Sequence, residues 1–204
     1  MPSAARLLVA TKNAHKTGEI QAILGPDWVV EDLTAHPEIP APEETGTTFA
    51  ENAAIKAIAG SQLFPGLVLA DDSGLEVDVL GGAPGVYSAR YAGPQASDAD
   101  NRARLKQELT VFPSPARFRC VLAIAREGKV LGTFDGAVEG AIVASERGEG
   151  GFGYDALFIP AGFAGTFGEL PAETKNQLSH RARALAAARE FLIKIVDAAL
   201  RPTR

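Results

Sequence analysis

The spacing of apolar and polar positions along this chain changes period several times, and each change predicts an element. Residues 6–11 carry the unbroken run Leu7-Leu8-Val9-Ala10, which predicts a buried strand. A helical segment with Ile20, Ile23 and Leu24 follows, and Gly25-Pro26 stops it. Residues 28–33 predict a second strand, and the proline-rich residues 36–42 a loop. Thr48 and Glu51 have capping-box spacing, so a helix starts there and runs to about residue 62, with Ala53, Ala54, Ala57 and Ile58 as its expected inner stripe. Residues 67–70 predict a third strand that ends on Asp71-Asp72, and residues 97–109 a helix. From 116 to 126 the pattern alternates, with Phe118, Cys120, Leu122 and Ile124 on one face. Glu127-Gly128 turns it back through residues 130–134 as a hairpin. A short strand at 156–159 follows. The stripe Leu178, Ala182, Leu185, Ala188, Leu192 and Ile195 predicts a closing helix over about residues 179–200. Helices between strands, with one hairpin among them, predict an α/β fold on a mixed sheet.

Composition narrows this only a little. At 204 residues the chain is expected to form one domain, or two lobes sharing one sheet, and 46% hydrophobic with 22% charged residues excludes disorder. The longest apolar stretches end well short of the about 20 residues that span a bilayer, so no transmembrane helix is expected. The apolar segment after Arg6 is shorter than the roughly 7–15 residues of a signal-peptide core, and a cytoplasmic location is expected. The single cysteine, Cys120, permits no internal disulfide and reads as a buried strand thiol. A net charge of −5 argues against a protein that wraps nucleic acid; an anionic ligand would need local basic groups and backbone amides.

Five stretches can carry chemistry. Neighbouring side chains of an extended segment point to opposite faces, so Asp71 and Asp72 take two roles, one aimed at a ligand and one bracing the loop. An aspartate at a strand end can hold Mg²⁺ and orient or deprotonate one of its waters; a plain Asp-Asp-Ser-Gly turn explains the tetrapeptide equally well. Glu43-Glu44 is a second acidic pair, placed before the capped helix. Residues 11–16 gather Thr11, Lys12, Asn13, His15 and Lys16 at a helix N-terminus, a favourable place for phosphate, although the spacing of a Walker loop is absent. In residues 148–153 four of six positions are glycine, letting backbone approach a ligand while Phe152 and Tyr154 flank a flat ring. Lys175, His180 and Arg181 surround a helix start and can hydrogen-bond a phosphate or the keto oxygens of a base.

The segments LLVATKNAHKTGEI, EETGTTFAENAAIKA, LADDSGLEVDVLGGAPGVYSARYAG, GEGGFGYDALF and TFGELPAETKNQLSHRARAL, in this order, resemble the non-canonical purine nucleoside triphosphate pyrophosphatases, the inosine/xanthosine triphosphatase family. They run from the first strand to the last helix. The resemblance implies one elongated α/β domain over residues 1–204, with a mixed central sheet flanked by helices and two lobes about an active-site cleft. It implies a homodimer that uses Mg²⁺ to hydrolyse ITP, dITP and XTP to the monophosphate and pyrophosphate. By residue, it implies Asp72 as proton acceptor and metal ligand, Asp71 as support, and Glu43 or Glu44 as the other magnesium carboxylate. Thr11, Asn13 and Lys16, with Lys12 and His15 between them, match the triphosphate loop, where Lys16 also serves catalysis, and Ser73 lies near the phosphates. Phe152, Gly153, Tyr154, Asp155, Lys175, His180 and Arg181 match the nucleoside side. Lys12 and His15 stand where glycines are more usual, and Ala156 where proline commonly follows Gly-Tyr-Asp. A related pyrophosphatase for modified pyrimidine or methylated guanine nucleotides, and a catalytically silent nucleotide-binding protein, are the competing readings.

Overall fold

The computed structural model describes residues 5–200, without the side chains of 197–200. Its elements are β1 (Ala5–Val9), α1 (Ala14–Leu24), β2 (Trp28–Asp32), α2 (Phe49–Leu63), β3 (Leu67–Val77), α3 (Asp98–Glu108), β4 (Ser114–Arg126), β5 (Lys129–Ile142), β6 (Phe158–Pro160), α4 (Ala172–Leu178) and α5 (His180–Leu200). The strands form one sheet in the order β2-β1-β3-β4-β5-β6. β1 pairs parallel with β2 and with β3, whereas β5 and β6 are antiparallel, so the sheet is mixed as expected. Leu7, Leu8 and Val9 are wholly buried, the burial that the unbroken apolar run predicts for an inner parallel strand.

The largest departure from the sequence pattern is β3. It does not end at the two aspartates but continues through Asp71, Asp72, Ser73 and Gly74 to Val77. Leu75 and Val77 are fully buried and resume the inward pattern beyond the charges, so the reading of residues 71–74 as a turn is overturned. The hairpin forms as predicted: Glu127 (φ 52°) and Gly128 (φ 72°) make a two-residue turn with both residues left-handed, the geometry that suits twisted strands. Its second arm runs on past residue 134 to Ile142, with Val138 and Ile142 buried.

Two helices also differ. The packed face of α2 is Phe49, Asn52, Ala53, Ala57, Gly60 and Ser61, while Ala54 and Ile58 are only half-buried. Its small residues let the helix lie close on β3, where a Cβ on Gly60 would come within 3.1 Å of Val68. The closing helix is broken at Ser179, whose extended backbone (ψ 162°) separates α4 from α5 and leaves Leu178 in α4. The remaining stripe holds, with Ala182, Leu185, Ala188 and Leu192 buried.

The chain divides into two compact units. One takes in the described residues up to Asp72 with Val121–Asp135 and the stretch from Ala182 onward; the other comprises Ser73–Cys120 and Gly136–Arg181. The second unit has an aromatic core in which Phe118 and Phe158 lie 4.7 Å apart and Phe158 and Phe167 5.3 Å. Cys120 is buried in β4.

Candidate active site

In the first unit, β3 presents Asp71 and Asp72 to two different lysines, as opposite faces of a strand require. Lys16 Nζ lies 2.5 Å from Asp71 Oδ1. Lys56 Nζ lies 2.6 Å from Asp72 Oδ1 and 2.8 Å from Glu44 Oε1, and donates a third hydrogen bond to the Asp71 carbonyl at 3.0 Å. Lys16 reaches Asp71 because Asn13 caps α1, its Oδ1 accepting from the amides of His15 and Lys16 at 3.0 and 3.3 Å. Thr11 Oγ1 in turn accepts from the Asn13 amide at 3.1 Å. The acidic loop is held by α2: the Glu51 carboxylate accepts from Thr47 and Thr48 in the predicted capping box, and Asn52 Oδ1 accepts from the Gly46 amide at 2.8 Å.

Three carboxylates thus face two ammonium groups, and charge and burial set the two pKa directions in the cluster differently. Burial would lower Lys56, but the Asp72 and Glu44 carboxylates outweigh it and hold Lys56 above the ordinary lysine value. Burial pushes Asp72 up, against the pull of the Lys56 ammonium. Asp72 Oδ2 is buried without a hydrogen-bond partner. A buried, unpaired carboxylate oxygen costs stability unless a ligand meets it. Among the described residues no group of three or more His, Cys, Asp or Glu is arranged to hold an ion. Glu44 and Asp72 instead fit a hard divalent cation bound by one or two carboxylates, with phosphate and water completing its shell.

The second unit gathers the glycine loop and the segment around α4. Asp155 Oδ2 accepts from the Phe152 amide at 2.8 Å and from Lys175 Nζ at 2.6 Å. Gly151 has φ 73°, and a Cβ there would lie 2.1 Å from that oxygen, so this position requires glycine. Lys175 Nζ also sits 4.7 Å from the Phe152 ring centre and Arg181 Cζ 5.8 Å, a cation–π arrangement on one aromatic face or edge. Arg181 is wholly buried and donates to Ser73 Oγ at 3.1 Å, while His180 stacks on Phe118 at 4.9 Å. Arg102 and Asp98 of α3 bond the Gly153 carbonyl and amide at 2.8 and 2.7 Å.

Most residues singled out in the sequence come together within one unit or the other. Four are placed differently. Tyr154 does not flank an open ring site: it lies in the aromatic core, with its hydroxyl donating to the Ser88 carbonyl at 2.9 Å. Glu43 is exposed, and Glu44 alone of the acidic pair bonds Lys56. Lys12 and His15 are exposed on backbone that is not left-handed, so nothing in the loop conformation demands glycine at either position. Lys56 was missed by sequence reasoning. Its signal is a lone basic residue in a helix otherwise rich in alanine and isoleucine, on a turn whose neighbours Ala53 and Ala57 are buried.

The family model described as the Ham1 family matches residues 7–191. The chain belongs to the Ham1 family. It is 48% identical over 189 residues to the dITP/XTP pyrophosphatase of Shouchella clausii (strain KSM-K16), covering 91% of this chain and 96% of that one. It is also 48% identical to the dITP/XTP pyrophosphatase of Geobacter sulfurreducens (strain ATCC 51573 / DSM 12127 / PCA), covering 92% and 96%. Among solved structures, a HAM1 protein from Coxiella burnetii superposes with a TM-score of 0.83 at 36% identity, covering 93% of this chain and 99% of that one. These Ham1 relatives bear out the resemblance carried by the sequence motifs and the mixed α/β architecture.

Proposed function

We propose that this protein hydrolyses dITP, ITP and XTP to the nucleoside monophosphate and pyrophosphate with Mg²⁺, clearing deaminated purines from the nucleotide pool. The observation that carries the reading is the cluster of buried Asp71 and Asp72 with half-buried Glu44, its two lysines and one unpartnered Asp72 oxygen, in a chain 48% identical to a dITP/XTP pyrophosphatase. Asp72 and Glu44 are the residues that would hold Mg²⁺, which when bound neutralises charge on the phosphate chain. Asp72 orients a water and accepts its proton. The water oxygen bonds to the α-phosphorus while the bond from that phosphorus to the bridging oxygen breaks, and pyrophosphate leaves with the electron pair. Lys16 and the amides at the start of α1 bind phosphate oxygens, and the sequence resemblance implies Ser73 as a further phosphate contact. Charge neutralisation and positioning carry most of the acceleration.

Phe152, Lys175, His180 and Arg181, shaped by Asp155 and Gly153, take the nucleoside. Selection rests on donors to the 6-keto oxygen, which adenine's 6-amino group would leave buried and unpaired. Guanine shares that oxygen, so its 2-amino group must be excluded by a separate contact. The proposal includes a homodimer, which sedimentation velocity would read directly, and a cytoplasmic location. No helix among the described residues is long and apolar enough to cross a membrane. A nucleoside triphosphate panel with Mg²⁺, scored for pyrophosphate against orthophosphate, tests the reading. dITP and XTP should far outpace ATP and GTP with pyrophosphate as product; equal rates, or orthophosphate release, would refute it.

A further inference from the structure

All three N–H bonds of the Lys56 ammonium are committed, to Glu44 Oε1, the Asp71 carbonyl and Asp72 Oδ1, at 2.8, 3.0 and 2.6 Å. One cation therefore sits on both carboxylates that the proposed function gives to the metal, while the second oxygen of Asp72 stays buried and unpartnered. A divalent ion drawing on those carboxylates would meet a like charge already bonded to them, in a setting where water screens little. We propose that Lys56 is an internal counter-ion: it holds Glu44 and Asp72 together while no metal is bound, and gives up its bond to Asp72 when a divalent cation arrives. The inference rests on the reading of Glu44 and Asp72 as the metal carboxylates. Metal binding is then an exchange of ammonium for metal, not the filling of an open cage. It is weak on its own and strengthens with a triphosphate, whose anionic oxygens offer the displaced ammonium a new partner.

The acidic loop does not depend on Lys56 alone. Asn52, one turn earlier on the same face of α2, holds the Gly46 amide, and Glu51 holds those of Thr47 and Thr48. A neutral side chain at position 56 should therefore leave the loop near its place while removing the competing charge.

The test is Mn²⁺ binding to the full-length, nucleotide-free protein, followed by electron paramagnetic resonance of the free ion, in wild type, Lys56→Gln and Lys56→Met. Lys16→Met is the control, since it removes an equal charge from Asp71 instead. The expected result is binding tighter by on the order of tenfold or more in the Lys56 variants, and by less in Lys16→Met. Their metal-free melting temperatures should fall by on the order of 5 °C or more, with the loss recovered on adding Mn²⁺. A Lys56 variant that folds only with Mn²⁺ present supports the exchange equally. Unchanged or weaker binding in the folded Lys56 variants, or equal tightening in Lys16→Met, overturns it. Mn²⁺ binding by none of the proteins, with dITP hydrolysis intact, overturns this inference and leaves the proposed function standing. Exchange as described in a wild-type protein inert to dITP would sink the proposed function instead.

Discussion

Each unit of this protein contains a lysine–aspartate pair closed to 2.6 Å on a buried aspartate, yet the two pairs are built for different ends. Asp155 directs one oxygen at two donors, the Phe152 amide and Lys175, and so ties a glycine loop to the segment around α4. Asp72 gives one oxygen to Lys56 and keeps the other buried without a partner. Desolvating a carboxylate is costly in either case, and only hydrogen bonds or charge recover that cost. The satisfied pair shapes a surface. The unsatisfied one stores an acceptor for something that arrives from outside, which makes it the candidate for chemistry.

Substitutions should separate these two uses. The largest effect is expected at Asp72→Asn, which removes the proton acceptor: turnover should fall on the order of 10³-fold with the fold retained. Steady-state kinetics with melting curves would read this, and near-normal turnover would remove Asp72 from its role. Asp155→Ala should show the reverse balance. It strands the Lys175 charge and should cost about 3 kcal/mol of stability, with KM rising more than kcat falls. Denaturant titration of the variant is the check, and a stability loss within error would mean the pair is not structural.

Smaller effects sharpen the comparison further. Glu44→Gln should raise the Mg²⁺ concentration needed for half-maximal rate by about tenfold, whereas Glu43→Gln, on an exposed residue, should leave it nearly unchanged. A metal titration of the two variants that gave the opposite order would move the ligand by one residue. The smallest effect is expected at His36, a surface pair in the first unit whose ring nitrogens lie 2.7 Å from Glu31 and 3.2 Å from Glu38. The hydrogen bond to Glu31 holds His36 above its ordinary pKa, more than burial lowers it. A raised folded pKa means that its stabilisation is fully present below about pH 6.5 and is lost as pH rises through the raised value. Its size should be at most about 1 kcal/mol, because the pair is solvent-screened. The difference in melting temperature between wild type and His36→Ala should then be larger at pH 6 than at pH 9.

The legible part of the sequence was whatever local periodicity or spacing determines. The apolar run of β1, the Thr48–Glu51 capping box, the Glu127-Gly128 hairpin and the part of the closing stripe beyond Leu178 formed where the pattern placed them. The opposite facing of Asp71 and Asp72 follows from period two alone. Illegible features depended on partners distant in sequence. β3 continues past two aspartates because lysines at 16 and 56 neutralise them, which no local pattern reveals. Tyr154 reads as a loop aromatic open to a ligand, and only the Ser88 carbonyl, 66 positions away, shows why it is buried. Asn13 reads as a phosphate ligand, yet its side-chain oxygen is occupied in capping α1. Lys56 is not marked by its own spacing: the burial of its helix neighbours Ala53 and Ala57 sets its exposure.

The central claim is that a water held by Asp72 attacks the α-phosphorus of a deaminated purine triphosphate. Hydrolysis of dITP in ¹⁸O-enriched water with Mg²⁺, followed by mass analysis of both products, tests it most directly. The account predicts one heavy oxygen in the nucleoside monophosphate and none in pyrophosphate; heavy oxygen in the pyrophosphate, or in released orthophosphate, would contradict it.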